Sequence, residues 1–282
     1  MDANFRYCAE LVREADHDRY LATLFAPAGK RPALFALYAF NVEIARVRDA
    51  AREALPGEIR LQWWREAILG ERAAEVSANP VAAAFDATLG RFDLAREQAA
   101  ALIDAHRFDV YDEPMQSIEA LAGYARDTAG MVVSLAANIL QGSSFSNELV
   151  GEAAHAHTVA LVLAQLPRHS ARQQLYVPAD ILRRHGANSA DFYAMEASPS
   201  VRAALAEMRE GAQRNLARVA QMSEVISEAA GPALLPLAPL PPWLRSLEGA
   251  GYDPFHPPEV PRWRRQWQIW RASKSLRRLG GG

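Results

Sequence analysis

Four stretches of this 282-residue chain carry side chains from which a reactive or binding site could be built. Residues 37–49 read LYAFNVEIARVRD. Acids at i and i+4 share one helix face and can hold a hard, oxygen-seeking cation such as Mg²⁺. Asp49 instead has Arg46 at i−3, Arg52 at i+3 and Glu53 at i+4, and Glu43 has Arg46 at i+3. The bland reading of both acids is a helix-surface ion pair. Residues 163–178 read LAQLPRHSARQQLYVP, with His169 beside Arg168 and Arg172. Such a cluster can bind an anion, or it can be a loop tied down by hydrogen bonds, and both readings stay open. His155 and His157 are two apart, so they lie on different helix faces and make no helical metal pair.

The third stretch, YARDTAGMVVSLAANILQG over 124–142, places Ala129, Gly130, Ser134, Ala136 and Ala137 where neighbouring helices could approach closely. That suits the wall of a central cavity, or ordinary small-residue packing. The fourth is the end of the chain, PRWRRQWQIWRASKSLRRLGGG over 261–282, with seven basic residues and no acid. Trp263, Trp267 and Trp270 recur at i, i+4 and i+7 and share one helix face. With Arg264 and Arg265 they form a candidate contact for an anionic bilayer surface. The alternative is a terminal helix that docks its tryptophans on the domain and solvates its arginines. The last three glycines read as disordered.

The elements that must position these residues are helices. Half the residues are hydrophobic, enough for a sizeable core, and helical periodicity dominates with no sustained strand-like alternation. Helices are expected over 4–15, 31–54, 57–76, 80–89, 94–111, 118–140, 147–166, 200–228 and 243–247. Pro32 is tolerated in a first turn, Pro56-Gly57 is read as a terminator, and Pro167 as a stop. Pro178 opens a short helix. Trp63 and Trp64 are anchors against neighbouring helices. No linker is visible, so one all-α domain over 1–260 and a basic tail over 261–282 are expected.

Composition narrows the function classes. A net charge of −2 argues against nucleic acid as a partner. Cys8 is the one cysteine; it excludes an internal disulfide and a cysteine metal cluster, and reads as a buried small apolar residue. No apolar run reaches the ~18–20 residues of a membrane span. The N-terminal MDANFRYCAELVREADHD is acidic and lacks a signal peptide's basic and apolar blocks. It is also too acidic for a mitochondrial presequence. The expectation is a bacterial cytosolic chain, or one whose presequence has been removed.

The segments resemble the squalene/phytoene synthase superfamily. There the first reads roughly Y-A-F-C-R-x-x-D-D-x-x-D; Tyr38, Ala39 and Phe40 match, and the acid positions fall on Ala45, Arg46 and Asp49. Arg31 begins the helix leading to Tyr38, as a basic residue does in the superfamily. Tyr124 and Gly130 are similar to Y-x-x-x-x-A-G-x-V-G. The second acid motif runs N-x-x-R-D-x-x-E-D-x-x-x-x-R-x-Y-L-P. Counted back from Tyr176, Gln165 and His169 take its two main aspartate positions and Arg168 its glutamate position. A further resemblance is to the superfamily's respiratory complex I assembly factor branch, which lacks the acids. It rests on A-L-x-A-F-N-V-E-x-A-x-V-x-D (36–49), P-x-H-x-x-R (Pro167, His169, Arg172) and D-x-F-H-P (Asp253, Phe255, His256, Pro257). Tyr38 departs from that branch and agrees with true synthases. The resemblance spans about residues 16–272.

This resemblance implies an isoprenoid synthase-like helical bundle around a central cavity. It implies a non-catalytic factor in complex I assembly, peripheral on the inner face of the cytoplasmic membrane. The partners it implies are complex I subunits or assembly factors and an isoprenoid or lipid in the cavity. No cofactor is expected. The vestigial-site candidates are Arg31, Tyr38, Asn41, Asp49, Tyr124, Gln165, His169, Arg172 and Tyr176. Two alternatives stand: an active head-to-head prenyltransferase using Mg²⁺, and a lipid- or isoprenoid-binding protein.

Overall fold

The computed structural model describes residues 2–50, 53–111, 113–249 and 251–280, and none of them is in a strand. In chain order the helices begin with α1 (Ala3–Ala15), α2 (His17–Thr23), α3 (Arg31–Ala45), α4 (Val47–Ala50) and α5 (Ala54–Leu69). There follow α6 (Ala73–Val76), α7 (Pro80–Arg91), α8 (Arg96–Ala105), α9 (Ile118–Ala125), α10 (Met131–Gln141) and α11 (Asn147–Ala164). The last are α12 (Leu166–Ala171), α13 (Ala179–His185), α14 (Ser189–Tyr193), α15 (Pro199–Met222), α16 (Leu240–Ser246) and α17 (Arg262–Lys274). The chain forms two compact units. One comprises Met1–Tyr111, Met131–Ser146 and Ile226–Pro236; the other comprises Asp112–Gly130, Asn147–Val225 and Leu237–Gly282. Each is assembled from three discontinuous stretches, so no linker marks them in the sequence.

The first unit is built around α3, which is buried on every side from Ala33 to Phe40. Phe40 stacks on Phe85 of α7 at 4.2 Å and meets Trp64 of α5 edge-on at 5.6 Å. Pro32 sits in the first turn of α3, where no helical N–H is lost. The helix is shorter than the expected 31–54. Arg46 takes φ −84° and ψ −5°, which turns Val47 into the core while Ala45 and Arg46 face out. Pro56-Gly57 lies in the first turn of α5, where proline fits as well as it terminates. The expected 57–76 helix is instead divided at Gly70, whose φ of +87° makes a left-handed cap. Asn79 accepts from the N–H groups of Val81 and Ala82 at 3.0 and 3.1 Å, which starts α7 as read. The helix expected over 94–111 begins at Arg96 and tightens to a 3₁₀ turn at His106–Val110.

In the second unit α11 packs against α15, α9 and the π turn Arg126–Gly130. That turn interrupts the helix expected over 118–140. The Thr128 hydroxyl donates to the Tyr124 carbonyl at 2.6 Å inside it. A Cβ at Gly130 would stand 3.1 Å from Val150 Cγ1 and 3.3 Å from Ala154 Cβ, so the bare glycine permits the close approach. Ser198 caps α15 and Pro199 fills its first position. After α17, a 3₁₀ turn at Leu276–Gly280 packs on α15. Leu279 is buried there, and a Cβ on Gly280 would meet Ala220 Cβ at 3.0 Å. Gly280 is therefore ordered, contrary to the sequence expectation; Gly281 and Gly282 lie outside the described residues.

Candidate functional site

The first unit carries Arg31, Tyr38, Asn41 and Asp49. Arg31 stands at the head of α3, and its Nε donates to the Ala26 carbonyl at 2.8 Å. Neighbouring Lys30 donates to the Leu140 carbonyl at 2.5 Å. Both cations therefore close the turn before α3. Tyr38, two turns further on, is 2 % exposed, and the Arg19 guanidinium sits 5.4 Å from its ring centroid. Burial pushes the Tyr38 phenol up to about 12; Arg19 pulls it partly back and Asp16 adds to the rise. It is a neutral hydroxyl at neutral pH. Asn41 is half-buried on α3.

Asp49 is exposed on α4, beyond the break at Arg46, and its N–H donates to the Arg46 carbonyl at 3.0 Å. Arg52, its expected ion-pair partner, lies outside the described residues. Glu43 is in an ion pair, but with Arg60 of α5 at 3.4 Å rather than with Arg46.

Sequence reasoning missed the buried charges beside Tyr38. Arg19 is 8 % exposed and pairs with Asp16 at 3.0 Å, while Asp16 also accepts from the Arg19 N–H and so caps α2. The signal was an aspartate three residues before Arg19, a helix-capping spacing.

In the second unit α11 ends at Ala164, and Gln165 has left helical geometry with φ −99° and ψ 6°. Pro167 then occupies the first turn of α12. So the proline does break the helix, and it also starts the next one. Gln165 Oε1 accepts from Arg168 at 2.6 Å. His169 lies with its ring centroid 4.7 Å from that of Tyr176, and Tyr124 is 6.0 Å from the same ring. The three rings form a row, with Tyr176 buried. The His169 carbonyl accepts from the N–H groups of Arg172 and Gln174 at 3.0 and 2.9 Å. These bonds close the turn after α12, and Arg172 caps that helix. Of the two readings of the cluster, this part of the geometry is a hydrogen-bonded loop.

His155 Nδ1 is 2.7 Å from the Asn215 side chain. Among the described residues no group of three or more His, Cys, Asp or Glu is gathered closely enough to hold a metal ion.

On α17 the tryptophan stripe faces outward, with Trp263, Trp267 and Trp270 exposed at 65, 51 and 48 %. The helix docks through Ile269 and Ala272 instead. Arg264 lies 5.2 Å from the Trp263 ring and Arg271 4.6 Å from the Trp267 ring. Arg265 is half-buried. No helix among the described residues is long and apolar enough to cross a membrane.

An all-helical chain with this order of elements has the isoprenoid synthase fold. It resembles a dehydrosqualene synthase crystal structure with a TM-score of 0.81 at 17 % identity, covering 96 % of this chain and 95 % of that one. It also resembles squalene synthase HpnC from Alicyclobacillus acidocaldarius, with a TM-score of 0.69 at 22 % identity over 99 and 95 % of the two chains. The squalene/phytoene synthase pattern matches residues 12–271, and the chain belongs to that family. Among its relatives, NADH dehydrogenase (ubiquinone) complex I, assembly factor 6 of Bos taurus is 28 % identical over 253 residues, covering 89 % of this chain and 76 % of that protein. The Homo sapiens protein of the same name is 27 % identical over the same shares. Phytoene synthase of Thermus thermophilus is 25 % identical over 223 residues, covering 77 and 74 %.

Proposed function

We propose that this chain is a non-catalytic member of the squalene/phytoene synthase family that supports assembly of respiratory complex I at a membrane surface. The observation that carries the reading is chemical. Ionising a prenyl diphosphate requires neutralising the departing pyrophosphate, which the family's motifs do with Mg²⁺ held by carboxylates from two helices. At those positions this chain has Ala45, Arg46 and Asp49 on one side and Gln165, Arg168 and His169 on the other. Two of these six are cations, and an amide and an imidazole do not replace anionic oxygen for Mg²⁺. Gln165 is already engaged by Arg168, and Asp49 sits on a separate helix from Asn41 and Tyr38. The donor set does not fit the metal, and no reaction step is assigned to it.

The relatives named for complex I assembly supply the direction of the reading, since they align over nine-tenths of the chain. Complex I subunits or other assembly factors are the partners this implies. The exposed tryptophans and basic residues of α17 suit the interface of an anionic bilayer, aromatic rings at the headgroup level and guanidinium groups on the phosphates.

A deletion strain tests the assembly role: loss of assembled, active NADH:quinone oxidoreductase is expected, and normal levels would reject it. The synthase relatives favour a competing prenyltransferase reading. Purified protein with Mg²⁺ and farnesyl or geranylgeranyl diphosphate distinguishes the two. Pyrophosphate release above a heat-killed control, abolished by chelator, would establish the enzyme.

A further inference from the structure

Charge is divided sharply along this chain. The last 22 residues carry seven cations and no acid, while the whole chain carries −2, so residues 1–260 carry −9. An anionic bilayer therefore attracts the tail and repels the remainder.

The outer face of α17 has a defined make-up. Trp263, Trp267, Trp270 and Lys274 follow at i, i+4, i+7 and i+11, so the aromatic stripe ends in an exposed cation. Arg264 and Arg271, seven apart, run along one edge of it. Each guanidinium lies against a ring, Arg264 at 5.2 Å from Trp263 and Arg271 at 4.6 Å from Trp267. Rings already holding a cation offer less to the ammonium of a choline lipid. Arg277 pairs with Glu224 at 3.0 Å, and Arg278, exposed, donates to the Arg271 carbonyl at 2.9 Å, which keeps it at the end of α17.

An amphipathic helix sinks into the acyl region on its apolar side chains. Here the aliphatic ones are turned inward. Ile269 and Leu279 are fully buried and Leu276 is half-buried. No leucine, isoleucine or valine of 261–280 is exposed. What remains outside is tryptophan, which rests at headgroup depth, and cations, whose attraction to an anionic leaflet is screened by salt.

Building on the bilayer contact proposed for α17, we propose that this helix is a charge-gated anchor. It holds a bilayer rich in anionic phosphate, stays at headgroup depth, and lets go when ionic strength rises or anionic lipid becomes sparse. Lipid composition, rather than the apolar area of the helix, then decides when the protein is on the membrane.

Flotation of the full chain with vesicles running from pure phosphatidylcholine to about half phosphatidylglycerol tests the gate. Binding rises steeply with phosphatidylglycerol, and pure phosphatidylcholine binds more weakly by about tenfold or more. The bound protein is released at about 0.5 M NaCl, where charges are screened within a few Å. Arg264→Gln and Lys274→Gln each weaken binding about fivefold, the scale of one cation at an anionic leaflet. Both side chains are exposed, so the melting temperature stays the same. Equal binding to both lipids, binding that survives the salt, or indifference to both substitutions overturns the gate and leaves the bilayer contact standing. Absence of binding to every vesicle overturns both, and assigns the cations to an acidic protein surface.

Discussion

The amide oxygen of Gln165 accepts a hydrogen bond from Arg168 at 2.6 Å, across one turn of α12. In the family pattern these positions carry an aspartate and a glutamate, so two like charges have become a neutral acceptor and a cation that satisfy each other. A carboxylate restored at 165 alone therefore meets Arg168. Gln165→Asp is expected to form an ion pair and to change stability by at most about 1 kcal/mol in urea denaturation. Calorimetry with MgCl₂ should detect no Mg²⁺ binding by the variant.

Two glycines seven residues apart should respond with opposite sign. Gly130→Ala pushes a methyl group against Val150 and Ala154, and overpacking of this kind costs about 1–3 kcal/mol. Gly123, in α9, has open space where a Cβ would go. Gly123→Ala should stabilise by about 0.5–1 kcal/mol through the better helix propensity of alanine. Thermal or urea unfolding of the pair checks both signs.

The outer and inner faces of α17 are separable. Replacing Trp263, Trp267 and Trp270 with alanine should leave the melting temperature nearly unchanged, because the three rings are about half exposed or more. The same variant should lose most of its binding to phosphatidylglycerol vesicles in a flotation assay. Ile269→Ala should do the reverse. It empties a buried position, costing about 2–5 kcal/mol, while the vesicle-binding face remains. Vesicle binding that survives the triple replacement would remove the membrane from the functional reading.

Burial holds the His155 imidazole below its ordinary value, and nearby Glu152 only partly offsets this. With its amide oxygen toward His155 Nδ1, Asn215 donates to the Gly211 carbonyl at 2.9 Å and to Glu152 at 3.2 Å. As pH falls through the unfolded value of about 6.5, the unfolded chain takes up this proton before the folded one does. Stability therefore declines from there downward. His155→Gln should flatten that part of the profile. Melting temperatures recorded between pH 7.5 and 5.5 for both proteins give the comparison.

Much of this architecture was legible in the sequence because helices announce themselves by period and by caps. Asn79-Pro80, Gly142 and Pro178 fall where the chain turns as read. What the sequence hid depends on tertiary contacts. The break at Arg46 follows from burying Val47, and nothing in the local residues of 37–54 requires it. Pro56 and Pro167 each begin a helix because a first turn accepts proline, an outcome the local sequence shares with termination. The π turn at 126–130 accompanies the close approach of α11 to Gly130, which periodicity alone does not reveal. At the candidate site the family resemblance named Tyr124, His169 and Tyr176 one by one; that their rings lie within 4.7 and 6.0 Å of each other around Tyr176 is a tertiary contact that motif spacing does not give. The Asp16–Arg19–Tyr38 cluster went unread because its members are nineteen or more positions apart, apart from one capping pair.

Cys8 is wholly buried on α1, and burial pushes its thiol up to about 12. At neutral pH it is protonated and shielded, so maleimides and oxidants find no thiolate to attack. A cysteine introduced on the surface, at Ala45 or beside Trp267 for example, would then be the one site a fluorophore can reach. The natural sequence is already a background for single-site labelling, and distances to a vesicle or to a partner could be measured without removing any native residue.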